Sequence, residues 1–170
     1  PRGPVPGFCS CHPPGSSRNG ARKPACAASR ALRQVDPVPA RRDTAGMTFE
    51  RRITRYPLAH DPDAATETAS VFADLGPGLA GLLAATAGCS PFLRDLMLRE
   101  ADWLRPALQM EPELCFAQLL AACDGLAPDL LSPVLRQAKR RVALIVALAD
   151  LGGVWTLEQA TGALTAFADR

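Results

Sequence analysis

Residues 135–155 read LRQAKRRVALIVALADLGGVW, five polar residues in the first seven and then an unbroken apolar run from Val142 to Ala149. Eight apolar residues fall far short of the ~20 that cross a bilayer, so no membrane partner is expected. Leu135, Ala138, Val142, Ile145 and Ala149 recur at helical spacing, while Arg136, Lys139, Arg140 and Arg141 cover the other sides of the first half. In the second half Leu144, Val146 and Leu148 extend the apolar surface nearly all round. Such a helix starts at the surface and ends inside a bundle. Its basic residues predict a solvated face paired with acidic neighbours. A helix-turn-helix would need a second short helix set against it, so no nucleic-acid partner is expected either. Asp150 opposes the helix dipole and is expected as a partly exposed helix-end acid; buried, it would need a basic partner.

Ser132 and Pro133 predict where this helix begins, because Ser can cap free amides and Pro at the first position loses no hydrogen bond. The same pair, Ser90 and Pro91, opens CSPFLRDLMLREADWLRPAL. There Phe92, Leu93, Leu96, Met97, Trp103 and Leu104 predict one apolar face, with Asp95 and Arg99 paired at i, i+4. Before it, VFADLGPGLAGLLAATAG predicts a helix from about Leu79 to Ala87, closed by Gly88. After it, PELCFAQLLAACDG predicts another, with Leu114, Ala117, Leu120 and Ala121 inward and Gly125 ending it. Finally, Thr156 and Gln159 form a capping box ahead of Leu157, Ala160, Leu164 and Phe167. The fold expected is all-α, a small bundle of about five helices over residues 79–170. MTFERRITRYPLAHDPDAATE is polar and interrupted by proline, which predicts an extended, partly ordered lead-in over residues 47–78.

Residues 1–46 differ in kind. They hold eight of the 16 prolines and eight Arg or Lys against Asp36 and Asp43, a charge of +6, whereas residues 47–170 hold 11 basic and 15 acidic residues, a charge of −4. The net +2 is a sum of unlike pieces and points to no acidic partner. A segment rich in Pro, Gly, Ser and Arg buries too little surface to offset chain entropy, so a disordered tail is expected. It also lacks the ~7–15-residue apolar centre of a secretory signal. Arginine outnumbers lysine 17 to 2, as GC-rich coding DNA produces, and Met47 is expected to be the biological start.

Cys9, Cys11, His12 and Cys26 are not expected to make a zinc site, because Cys-x-Cys is tighter than the usual gap and no second pair follows. Cys89, Cys115 and Cys123 lie in or beside apolar segments and are expected as buried reduced thiols, which fits a cytoplasmic protein.

The run GCSPFLRDLMLREADWL, followed by LRQAKRRVALIVALADLGGVWTLEQATGALTAFAD, resembles the N-terminal region of bacterial bifunctional glutamine-synthetase adenylyltransferase/adenylyl-removing enzymes. The opening MTFERRITRYPLAHDPDA resembles the start of such proteins. The resemblance covers nearly all of residues 47–170 and implies two nucleotidyltransferase halves. One attaches AMP from ATP to a tyrosine of glutamine synthetase; the other removes it by phosphorolysis. It implies magnesium and ATP for the full-length enzyme, glutamine synthetase and a signalling protein as partners, and a downstream catalytic domain in cis. Residues 79–170 would then belong to the adenylyl-removing half. The family's centres are a Gly-Ser turn followed by an Asp-x-Asp pair holding magnesium. Here only Asp61-Pro62-Asp63 has that spacing, with no apolar strand before it, so no metal is assigned to it. No phosphate loop or nucleophile elbow occurs, and His12 and His60 are the only histidines. The expectation is therefore no catalytic, cofactor-binding or metal residue, and a chain inactive by itself. The alternative is a free-standing all-α interaction module using the basic helix face.

Overall fold

A computed structural model of the chain describes residues 46–125 and 128–170, with residues 128–131 described by their backbone alone. The expected disordered tail, Gly46 apart, lies outside the described residues. Among these residues the fold is all-α, with seven α-helices and two short 3-10 turns. The helices are α1 (Pro62–Val71), α2 (Pro77–Cys89), α3 (Pro91–Arg99), α4 (Ala101–Leu108), α5 (Pro112–Ala121), α6 (Pro128–Leu151) and α7 (Leu157–Ala168). Successive helices mostly pack on one another, α1 on α2, α2 on α3, α5 on α6 and α6 on α7.

The core gathers around the second half of α6. Leu144, Ile145, Leu148 and Ala149 are fully buried, and Val142 and Val146 nearly so. They meet Leu79, Leu82 and Leu83 of α2, Met97 of α3, Leu104 and Leu108 of α4 and Ala163 of α7 in one cluster. Each fully buried Leu, Ile, Val or Met among them stabilises the fold by about 1.5–3 kcal/mol. The division of α6 into a polar start and a buried end is as its composition predicts: Arg136 and Lys139 are exposed.

Three expected boundaries are corrected. Residues 47–78 are extended only from Ile53 to Asp61; before that lies the 3-10 turn Glu50–Arg52, and after it α1. The Asp61 carboxylate accepts hydrogen bonds from the amides of Asp63 and Ala64, and Pro62 takes the first helical position. This is the same start as at Ser90, whose hydroxyl accepts from the Leu93 amide. Helix α6 does not start at Ser132, because it already runs from Pro128, with Pro133 inside it. The single helix expected after Ser90 is two, broken at Glu100, whose φ of −105° and ψ of 20° are not helical.

Two faces turn differently from expectation. In α5 the buried residues are Cys115, Phe116, Leu119 and Leu120, while Leu114 is exposed. In α7 they are Gln159, Ala160, Ala163 and Ala166, while Leu157 and Leu164 face out. Phe92 is likewise exposed, and Asp95 lies near Arg94, at 3.9 Å, rather than Arg99. The capping box forms as predicted, with Thr156 and Gln159 each bonding the other's backbone.

Candidate functional site

The extended segment Ile53–Asp61 is a strap fastened at both ends to glycine carbonyls. The amides of Thr54 and Arg55 donate to Gly152 O, and those of His60 and Asp61 donate to Gly88 O. Close approach dictates glycine at 88, where a Cβ would stand 2.6 Å from Ala59 Cβ and 2.7 Å from Asp61 O. Gly153 is required twice over: its φ is +65°, and a Cβ would collide with Thr54 Oγ1. The pair Gly152-Gly153 thus ends α6 and also seats the strap.

Just before the strap, Arg52 is buried. Its Nη1 and Nη2 donate to the two Glu113 carboxylate oxygens at 2.6 and 2.9 Å, and Nη2 also donates to Val154 O. Trp155 Nε1 donates to Glu113 Oε1 at 2.8 Å. Burial pushes the Glu113 carboxyl up, but hydrogen bonds from Arg52 and Trp155 outweigh it and hold the group below the usual carboxylate range. This node joins the 3-10 turn, α5 and the α6–α7 corner.

A second node fills the break between α3 and α4. Glu100 is buried and accepts from Arg140 Nε at 2.9 Å and Arg141 Nε at 2.8 Å. Burial raises its pKa, and the two guanidinium groups more than reverse that. Arg141 also lies 4.8 Å over the Trp103 ring. The acidic neighbour expected for the basic face is therefore Glu100. Asp150 is partly exposed, and its carboxylate stands 3.8 Å from Arg55 while its carbonyl accepts from that residue.

Between the strap and the α6–α7 corner lies a cleft of about 350 Å³ lined by Met47, Arg51, Thr54, Arg55, Gly153 and Thr156, with Arg52, Val154 and Trp155 also in its walls. No sequence signal marks it. Its lining comes from segments about a hundred positions apart, brought together by the glycine-seated strap and by the Arg52 contact to Val154 O.

Among the described residues no group of three His, Cys, Asp or Glu side chains is placed to hold a metal. Asp61 and Asp63 do not fit magnesium, since the Asp61 carboxylate serves as a helix cap. Cys9, Cys11, His12 and Cys26 lie outside the described residues. Cys115 and Cys123 are buried free thiols as expected, with Cys115 pushed up to about 11 by burial. Cys89 is exposed instead, at the end of α2, and its Sγ meets Leu58 O at 2.8 Å. No helix among the described residues is long and apolar enough to cross a membrane.

No family model and no solved structure matches the chain. Curated proteins do. It is 43% identical over 93 residues, 52% of its length, to the bifunctional glutamine synthetase adenylyltransferase/adenylyl-removing enzyme of Caulobacter vibrioides, of which this covers 9%. It is 36% identical over 126 residues, 69% of its length, to the protein of the same description from Bradyrhizobium sp. ORS 278, of which this covers 12%. The protein of that description from Rhodopseudomonas palustris HaA2 is 33% identical over 143 residues, 72% of this chain and 14% of that one.

The chain matches a part of this enzyme family.

It spans about a tenth of the length of the adenylyltransferase/adenylyl-removing enzymes to which it is similar. The matches to the adenylyltransferases agree with the resemblance carried by GCSPFLRDLMLREADWL and LRQAKRRVALIVALADLGGVW.

Proposed function

We propose that this chain is a helical part of a longer enzyme that transfers AMP from ATP to a tyrosine of glutamine synthetase and removes it by phosphorolysis, and that its helices buttress the adenylyl-removing half. The single observation behind this reading is the similarity, at 36% identity over 69% of the chain, to a protein of which the match covers 12%. On this reading residues 79–170 are the structural preamble to a nucleotidyltransferase core. Magnesium, ATP, glutamine synthetase and a signalling protein are engaged by the longer cytoplasmic enzyme. The outward leucines of α7, Leu157 and Leu164, lie seven positions apart on one side of the helix and are the surface we assign to that core.

A free-standing module that binds a partner through its basic helix face gains little support. Arg140 and Arg141 already spend their guanidinium groups on Glu100, which leaves Arg136 and Lys139 of that face outward.

The test is to express the coding sequence together with whatever follows it, with and without Leu157→Ser and Leu164→Ser, and to assay deadenylylation of glutamine synthetase. Loss of soluble, active enzyme in the double variant is expected. Full activity in that variant would remove the buttress reading, and turnover by the 170 residues alone would remove the reading as a non-catalytic part.

A further inference from the structure

We infer that the outer face shared by α5 and α7 is the seat of a helix from the segment that follows Arg170, laid back antiparallel over both. The inference rests on the reading of the chain as part of a longer enzyme and adds what that enzyme places on this face.

The two helices run side by side in the same direction. Near their starts Trp155 Nε1 donates to Glu113 Oε1, and the Trp155 ring meets Phe116 edge to face with centroids 6.1 Å apart. Near their ends Arg170 pairs with Asp124. Both pack on α6, and their other sides are open: Leu114, Ala117 and Ala121 of α5 and Thr161, Gly162 and Thr165 of α7 are all exposed.

This open surface is uncharged. No residue between Glu113 and Asp124, or between Glu158 and Asp169, carries a charged side chain, whereas a helix with solvent on its outer side ordinarily does. The Thr161 and Thr165 hydroxyls donate to the Leu157 and Thr161 carbonyls of their own helix at 2.8 and 3.0 Å, which leaves their methyl groups as the outward chemistry. Nothing lies within 4 Å of a Cβ added at Gly162, so the fold itself does not need glycine there, and glycine weakens a helix interior relative to alanine. A bare backbone at that point does serve the close approach of another helix.

The occupant follows from where the chain leaves the bundle. Arg170, held by Asp124, stands at the far end of both helices, so a following segment starts at the edge of the face. A connection of ~2–8 residues is enough to turn a helix back over its predecessor. Helices adjacent in sequence already pack in this way at α1–α2, α2–α3, α5–α6 and α6–α7. The matched proteins have the length for it, since the 126 residues aligned to the Bradyrhizobium protein are 12% of that chain. A second copy of this chain fits less well. The 12-residue α7 is about 18 Å long and two adjacent helices are about 20 Å across, an area on the order of 360 Å², against ~800 Å² per partner in a stable complex. A tethered helix does not need that area, because its effective concentration is high. The helix that fits presents an apolar stripe at i, i+3, i+4 and i+7, since a charge set against these neutral side chains would be desolvated and unpaired.

The experiment places a cysteine on each helix, Ala117→Cys and Thr161→Cys, with Thr66→Cys on the exposed side of α1 as control. Each is made in the 170-residue chain and in the product of the full coding sequence, and labelling by a thiol reagent is followed by peptide mapping. All three should label rapidly in the chain alone. In the full product the first two should slow at least about tenfold while the control does not. The slowing should persist when the coding sequence is cut about 25 residues after Arg170. It should vanish at Ala117→Cys when Thr161→Arg is added, a change at an exposed position that should leave the Tm of the chain alone unmoved. Rapid labelling in the full product, loss of the slowing on that truncation, or slowing in the chain alone that grows with its concentration would each overturn the inference. A full product that deadenylylates glutamine synthetase yet labels rapidly would overturn the inference and leave the enzyme reading standing, whereas slow labelling in a product without that activity would support the seat and count against the enzyme reading.

Discussion

Arg52 grips Glu113 with both terminal nitrogens, at 2.6 and 2.9 Å, although the two residues lie 61 positions apart in sequence. Arg52 is buried and Glu113 partly so, and Trp155 and the Val154 carbonyl complete their hydrogen bonds. Removing one partner would leave the other charge buried and alone. Arg52→Ala or Glu113→Ala should therefore cost about 3–5 kcal/mol, measured by denaturant unfolding. A double-mutant cycle should show strong coupling, since the second removal has less left to lose. Independent, additive losses would mean that the pair is not what holds the 3-10 turn to α5.

Acid should find the same two nodes. Glu113 and Glu100 are both held below the usual carboxylate range in the folded chain. Their contribution is complete above the unfolded carboxylate pKa of about 4.3, and it disappears as pH falls through the lower folded values. The stability difference between wild type and Glu113→Gln should shrink from about pH 7 to about pH 3. A difference that stayed constant on acidification would contradict the assigned direction.

Helix α6 offers a comparison along its own length. Ile145→Ala should cost about 2–5 kcal/mol, because the side chain is fully buried. Arg136→Ala, on the exposed face, should cost under about 0.5 kcal/mol. Arg141→Ala should fall between them, at about 1–3 kcal/mol, since it loses both a charged hydrogen bond to Glu100 and its place over Trp103. Equal effects at Arg136 and Arg141 would show that the Glu100 node carries no weight.

Gly88→Ala should lift one end of the strap. The new methyl would overlap Ala59 and the Asp61 carbonyl, at a cost of about 1–3 kcal/mol. Amide exchange at His60 and Asp61 should accelerate, while Thr54 and Arg55, fastened at the other end, stay protected. Uniform loss of protection throughout the bundle would indicate that the strap and the core open together.

The cysteines give a chemical check of burial. A thiol reagent followed by peptide mapping should modify Cys89 rapidly and leave Cys115 and Cys123 untouched until the chain unfolds. Cys115 combines burial with a pKa pushed up to about 11, so its thiolate is scarce at neutral pH. Rapid labelling of Cys115 would contradict the packing of α5.

What the sequence disclosed and what it hid follow from how far each signal reaches. The capping box of Thr156 and Gln159 and the Ser90 cap depend on three neighbouring positions, so they are readable in one dimension. The apolar stretch Val142–Ala149 announces burial because it is wider than any single helix face. The start at Asp61 uses the same chemistry as Ser90, but α1 buries only Ala64 and Thr68 and so carries little apolar periodicity to support it. Ser132 with Pro133 shows the reverse error, a start signal enclosed in a helix already under way. Spacing misassigns a face where apolar residues sit on both sides, as at Leu114 beside Cys115 and Leu164 beside Ala163. There spacing alone cannot choose, and the neighbouring helix decides. The Arg52–Glu113 node and the cleft were invisible because their members come from segments far apart along the chain.

The strap carries a consequence for synthesis on the ribosome. Thr54 emerges 98 positions before Gly152, the residue whose carbonyl fastens it. Translation at ~5–20 residues per second separates the two by about 5–20 seconds, during which the early segment has no seat. The strap, made well before its seat, is therefore among the last parts of the bundle to be secured, and the nascent bundle closes only when the corner before α7 has left the exit tunnel.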